Sequence, residues 1–86
     1  MFEEKIPILS GLNVYTAKSE GCSAERRLFY SRRSGGPYYC WSYLSGQSQW
    51  KAIRLQHHSI PRVLRKEAGA NLPVSLQTQL LEHYSG

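Results

Sequence analysis

No Asp or Glu occurs between Arg26 and Lys66, a window of 41 residues. Nor does any constellation of residues there read as an enzyme, so no catalysis and no cofactor are expected. Cysteine is scarce. Cys22 and Cys40 are too few for the disulfide framework of a small secreted domain. With His57 and His58 they also lack zinc-finger spacing, so no metal is expected. No apolar run is long enough to span a bilayer, which argues against a membrane partner. The opening Met-Phe-Glu-Glu is acidic and has no apolar h-region behind it, unlike a signal peptide. A cytoplasmic protein with free thiols is the expectation, with a Cys22–Cys40 bridge as the alternative. No internal repeat or low-complexity segment is present.

What fills the acid-free window is cationic and aromatic. It holds nine Lys or Arg and seven of the chain's ten aromatics: Phe29, Tyr30, Tyr38, Tyr39, Trp41, Tyr43 and Trp50. The whole chain of 86 residues carries a formal charge of +5 and a pI near 9.5. That balance favours anionic partners and is silent about fold. Its length fits one domain over residues 1–86, burying about 60–65% of the unfolded surface. A hydrophobic fraction of 41% suits a globular chain.

Leu12 to Lys18 alternates as a strand, with Leu12, Val14 and Thr16 on one side. Ser19 to Ser23 reads as a turn or loop. Arg26 to Arg33 is rich in strand formers. Ser34-Gly-Gly-Pro37 then reverses the chain, where Gly supplies the positive φ of a tight turn. Tyr38 to Leu44 is the strongest strand, Ser45 to Gln49 a second turn, and Trp50 to Leu55 a shorter strand. The period then changes. Ser59 is placed to cap a helix over about 59–68, with Pro61 in its first turn, an Ile60/Val63/Leu64/Ala68 stripe and Gly69 as the stop. Asn71 is placed to cap a second helix over about 72–84, with Leu72, Leu76, Leu80, Leu81 and Tyr84 on its apolar side. The expected fold is α+β: a three- or four-stranded antiparallel meander over about 12–55, then a C-terminal helical hairpin packed on one face. An uncovered edge at Leu12 to Lys18 would let a second copy pair, so monomer and homodimer both stay open.

The register of the Tyr38–Leu55 hairpin decides how the aromatics are used, because a one-residue slip exchanges faces. If Ser45 pairs with Trp50, Tyr39, Trp41, Tyr43, Trp50 and Arg54 share one face. Cys40, Leu44, Ile53 and Leu55 then form a core that helices could cover. If Leu44 pairs with Trp50, Tyr39, Trp41 and Tyr43 become core beside Ile53 and Leu55, while Trp50 faces out. The first register makes an aromatic platform and the second an ordinary core.

On a platform, each aromatic stacked on a base would contribute about 1–3 kcal/mol. Arg26, Arg27, Arg32, Arg33, Lys51 and Arg54 would meet phosphates, which guanidinium forks suit well. Five neutralised phosphates would give a salt slope of about −3.5 on single strands or −4.5 on duplex. Adjacent arginines on a strand point to opposite faces, so at most half of these charges serve one face. Arg62, Arg65 and Lys66 would lie opposite the first helix's apolar stripe, either as a solvated face or as an extension of the basic surface. His57 and His58, being adjacent, point apart and suit a strand end better than a shared ion.

The stretch Arg32-Arg-Ser-Gly-Gly-Pro-Tyr-Tyr-Cys-Trp-Ser-Tyr43 resembles a hairpin of the three-stranded DNA-binding domains of tyrosine recombinases, which are similar to plant AP2 domains. It also resembles a Gly-Pro-Tyr-Tyr strand of certain short prokaryotic proteins. In the DNA-binding domains the sheet enters the major groove and a helix packs behind it. The resemblance implies Arg33, Tyr39, Trp41 and Arg54 as sheet-borne contacts. Lys51-Ala-Ile-Arg-Leu55 before Ser59 is similar to the strand that ends the curved sheet in a coactivator type of single-strand binder, with Ala52 in place of glycine. Each likeness covers less than half of the chain. The expected function is a small basic nucleic-acid-binding protein, for DNA or RNA. Its site would comprise Arg26, Arg27, Arg32, Arg33, Tyr39, Trp41, Tyr43, Trp50, Lys51 and Arg54. The rival is a non-catalytic interaction module whose exposed aromatics and arginines contact a protein.

Overall fold

In the computed structural model, residues 10–17 and 27–85 are described. Arg26, Cys22, Lys18 and the expected Ser19–Ser23 turn lie outside the described residues. Four strands form an antiparallel meander: β1 (Leu12–Ala17), β2 (Phe29–Arg33), β3 (Tyr38–Leu44) and β4 (Gln49–Arg54). A fifth strand, β5 (Leu64–Lys66), pairs antiparallel with the outer side of β1 and gives the order β4-β3-β2-β1-β5. One helix follows, α1 (Val74–Tyr84). The architecture is α+β.

Local chemistry accounts for the meander. β2 and β3 are dense in aromatics, which suit a pleated, half-buried surface. Between them Gly35 takes φ +76°, and the Gly36 N–H closes the turn on the Arg33 carbonyl at 2.7 Å. Between β3 and β4 a short 3-10 turn, Ser45–Gln47, runs into Ser48 at φ 51°.

Three expectations are corrected. The helix expected over 59–68 does not form. Ser59 instead donates its N–H to the Gln56 carbonyl in a 3-10 turn, and Leu64–Lys66 becomes β5. The physical reason lies in β1, whose outer edge offers this segment a ladder of backbone partners. Val63, a member of the apolar stripe expected for that helix, is 63% exposed. There is accordingly no helical hairpin. Because β5 pairs with Tyr15, Thr16 and Ala17 and the Glu67 N–H donates to the Val14 carbonyl, β1 is paired on both sides from Val14 onward. Neither hairpin register holds. Tyr43 lies opposite Trp50 and Leu44 opposite Gln49, with residues 45–48 as the loop. That register keeps Tyr39, Trp41, Tyr43, Trp50 and Arg54 on one face, as the platform register did, yet buries Trp41 as the core register did.

The reason is the side on which α1 sits. Residues directly opposite in a sheet share a face. The row Arg65–Thr16–Phe29–Trp41–Ala52 crosses all five strands on the side of α1. Val14, Phe29, Trp41 and Trp50 from that face pack with Leu72, Leu76 and Leu80 to make the core. Trp41 is 2% exposed and Phe29 1%. Burying such a ring removes about 150–250 Å² from water, an upper-bound stabilisation of about 4–6 kcal/mol. α1 starts without a side-chain cap, since Pro73 rather than Asn71 precedes it. Gln77 secures the approach instead, donating its amide to the Gly69 and Leu72 carbonyls at 2.9 and 2.8 Å.

The opposite face carries the row Lys66–Tyr15–Tyr30–Cys40–Ile53. Residues 55–63 must cross the sheet from the β4 edge to the β5 edge. Tyr30 is 7% exposed and lies outside the cluster that α1 covers, so segments other than α1 bury it.

Candidate functional site

The ten expected site residues are divided among several environments. Trp41 and Trp50 are core. The Trp41 indole N–H donates to Ser31 Oγ at 2.7 Å, and Ser31 Oγ shares a 2.7 Å hydrogen bond with the Tyr84 hydroxyl. The Trp50 indole N–H donates to Ser75 Oγ at 3.0 Å. Neither ring offers a free face for stacking, which corrects the expectation that they line an exposed platform. Tyr39 is half-buried, edge-on to His83 at 4.7 Å and to Tyr84 at 6.1 Å. Tyr43 is 49% exposed and leans on Trp50 at 5.4 Å.

The cations are spread as alternation requires. Arg33 and Arg54 are exposed on the α1 side, where Arg33 donates to the Tyr84 carbonyl at 3.1 Å, satisfying a helix C-terminal group. Arg27 is exposed just before β2, and Lys51 is exposed on the far side of β4. Arg32 also faces the far side, where it is held in place. Its Nε donates to the Gly36 carbonyl at 3.0 Å, its Nη1 reaches the Tyr38 hydroxyl at 3.4 Å, and its Cζ lies 4.9 Å from the Tyr38 ring centroid. The contacts drawn from the recombinase-like resemblance, Arg33, Tyr39, Trp41 and Arg54, thus lie on the side that α1 occupies.

The far side brings together residues that strand spacing alone did not single out. The Tyr15 and Tyr38 rings are 6.3 Å apart at 45°, and Lys66 lies directly opposite Tyr15 on β5. Lys66 was expected on a helix. Only the β1–β5 pairing carries it to this face and turns Arg65 to the other. Tyr38 has the opposite parity to Trp41, a signal present in the sequence once the covered face is known.

Among the described residues the charge on this side is of one sign. Glu67 and Glu82 are the described carboxylates, against eight described Lys or Arg. Glu67 accepts a hydrogen bond from Thr16 Oγ1 at 2.7 Å on the α1 side, and Glu82 is on α1 itself. Among the described residues no carboxylate shares the face of Tyr15, Arg32, Tyr38, Lys51 and Lys66, and no ion pair engages these cations. Cys40, a free thiol on this face, is pushed to a higher pKa by burial, with a hydrogen bond from the Tyr30 side chain acting the other way. Among the described residues no three His, Cys, Asp or Glu gather as a metal site, and no helix is long and apolar enough to cross a membrane.

Comparison with protein-family models, with curated proteins and with solved structures finds no match to this chain.

Proposed function

We propose that this domain binds nucleic acid, DNA or RNA, through the sheet face opposite α1. The observation that carries the reading is the group Tyr15, Arg32, Tyr38, Lys51 and Lys66 on one face, with no described carboxylate beside them. Arg32 is braced by the Gly36 carbonyl and the Tyr38 ring, so holding it in one geometry loses little further side-chain entropy. Tyr15 and Tyr38 offer the partly exposed rings for stacking, at about 1–3 kcal/mol per base. The burial of Trp41 and Trp50 removes the two largest anchors from a protein-contact reading as much as from this one.

Anisotropy of labelled single-stranded and duplex oligonucleotides at two salt concentrations tests the proposal. Three cations engaging phosphates give a salt slope of about −2 on single strands. Lys51 and Lys66 are exposed, so the double substitution Lys51→Glu with Lys66→Glu leaves the core intact and weakens binding at least tenfold. Absence of binding at low salt, or a double variant that binds as well as the parent, refutes the proposal.

A further inference from the structure

The outer edge of β4 is half closed and half open, and the open half has a self-complementary pattern. Trp50 turns its backbone outward, and the Gln79 side chain takes both groups. Gln79 Oε1 accepts the Trp50 N–H, and Gln79 Nε2 donates to the Trp50 carbonyl at 3.0 Å. The amide thus stands where a neighbouring strand would. By alternation the next outward residues are Ala52 and Arg54, and among the described residues no group meets their backbone. The edge ends there, because the Leu55 N–H turns inward to the Tyr38 carbonyl at 2.8 Å and the Gln56 carbonyl accepts the Ser59 N–H at 2.9 Å. α1 leaves this stretch bare. Its Ser75 and Gln79 meet Trp50, while Tyr84 has moved across to Ser31 and Arg33 on β2.

From this edge we infer that the chain forms a weak two-fold dimer by antiparallel pairing of Lys51–Leu55 with the same segment of a second copy, centred on Ile53. Charge selects this register. Pairing Arg54 with its own copy sets like charges directly opposite, which is destabilising. Pairing Ala52 with its own copy brings Arg54 against Trp50, whose backbone Gln79 already holds. Centring on Ile53 sets Ala52 opposite Arg54 twice, giving four backbone hydrogen bonds. It also sets Lys51 opposite Leu55, so both cations meet uncharged partners. Ile53, 50% exposed on an edge strand, is then covered by its own copy on the same face. The same lysine and arginine discourage other edge pairings. A five-residue strand pair buries less than a standard interface, so the dimer is weak.

Sedimentation equilibrium from low to high micromolar protein, at low and high salt, reads the result. The mean mass rises from the 9.8 kDa monomer towards twice that value with concentration. It rises further at high salt, because screening relieves repulsion between two chains of formal charge +5. Salt acts in the opposite sense on polyanion binding, so failure of this inference is told apart from failure of the nucleic-acid reading. Ile53→Lys, at an exposed position, sets two cations opposite at the axis and returns the protein to monomer. With Cys22 and Cys40 replaced by Ser, because Cys40 lies opposite Ile53 in the same chain, Ile53→Cys links two copies covalently under mild oxidation, since opposed residues in a pair without hydrogen bonds sit about 4.5 Å apart between Cα atoms, within disulfide range. Lys51→Cys, opposite Leu55, does not. A monomer at every concentration and salt overturns the inference. So does an Ile53→Lys variant that dimerises like the parent, or Lys51→Cys linking as readily as Ile53→Cys.

Discussion

Replacing Ser31 by Ala removes one oxygen from the centre of the molecule. Ser31 is fully buried, and its Oγ both receives the Trp41 indole N–H and shares a hydrogen bond with the Tyr84 hydroxyl. In Ser31→Ala the Trp41 N–H stays buried beneath α1 without an acceptor, at a cost of about 1–3 kcal/mol. Tyr84 is half-buried and can turn to water, so its loss is smaller, about 0.5 kcal/mol, at the low end for a hydrogen bond. The sum is about 1.5–3.5 kcal/mol, a large share of the roughly 4–13 kcal/mol expected for a chain of this length. It corresponds to a fall in Tm of about 6–28 °C. Urea and thermal unfolding followed by far-UV circular dichroism read it without relying on the tryptophans. The decisive control is Trp41→Phe, which has no N–H to strand. In that background Ser31→Ala recovers about 1 kcal/mol or more of its cost. A cost of Ser31→Ala below about 0.5 kcal/mol, or one equal in both backgrounds, refutes the network as the link between sheet and helix.

In single-tryptophan variants, Trp41 and Trp50 both resist acrylamide quenching in the folded state, and a readily quenched Trp41 contradicts the face assignment. Because burial pushes the Cys40 thiol up, alkylation by iodoacetamide in the folded protein has its pH–rate profile displaced above the profile of the unfolded chain. The sign for stability follows. A folded-state pKa above the unfolded value keeps the proton on, so the stabilisation is whole below the ordinary thiol range and is lost as pH rises through the folded value. A folded-state profile at or below the unfolded one refutes the placement of Cys40.

Much of the fold was legible in local pattern. The four meander strands, the glycine turn at Gly35 and the Leu76/Leu80 face of α1 follow from alternation, turn chemistry and helical spacing. β5 was not legible, because a three-residue strand has no period of its own. Its partner β1 lies about fifty residues earlier, and an Ile60/Val63/Leu64/Ala68 spacing imitates a helix. Alternation sorted the residues within each hairpin strand but left the register across the turn open and could not say which set is covered. Docking of α1 decides that, since Phe29, Trp41 and Trp50 bury far more surface than Cys40, Leu44 and Ile53. Ser75 and Gln79 also engage Trp50. Hence the tryptophans left the candidate site while Tyr15, Tyr38 and Lys66 entered it.

The β1–β5 pairing also sets an order of assembly. The meander closes through neighbours in sequence, whereas the Thr16–Glu67 hydrogen bond spans 51 positions and the Ser31–Tyr84 bond 53. During synthesis β1 therefore waits with one bare edge, and the aromatic face waits uncovered, until almost the entire chain has emerged. Long-range closure of this kind slows folding and lengthens exposure of an aggregation-prone edge. Until residues 64–84 are free of the ribosome, the meander lacks both the strand that closes its edge and the helix that covers its aromatic face.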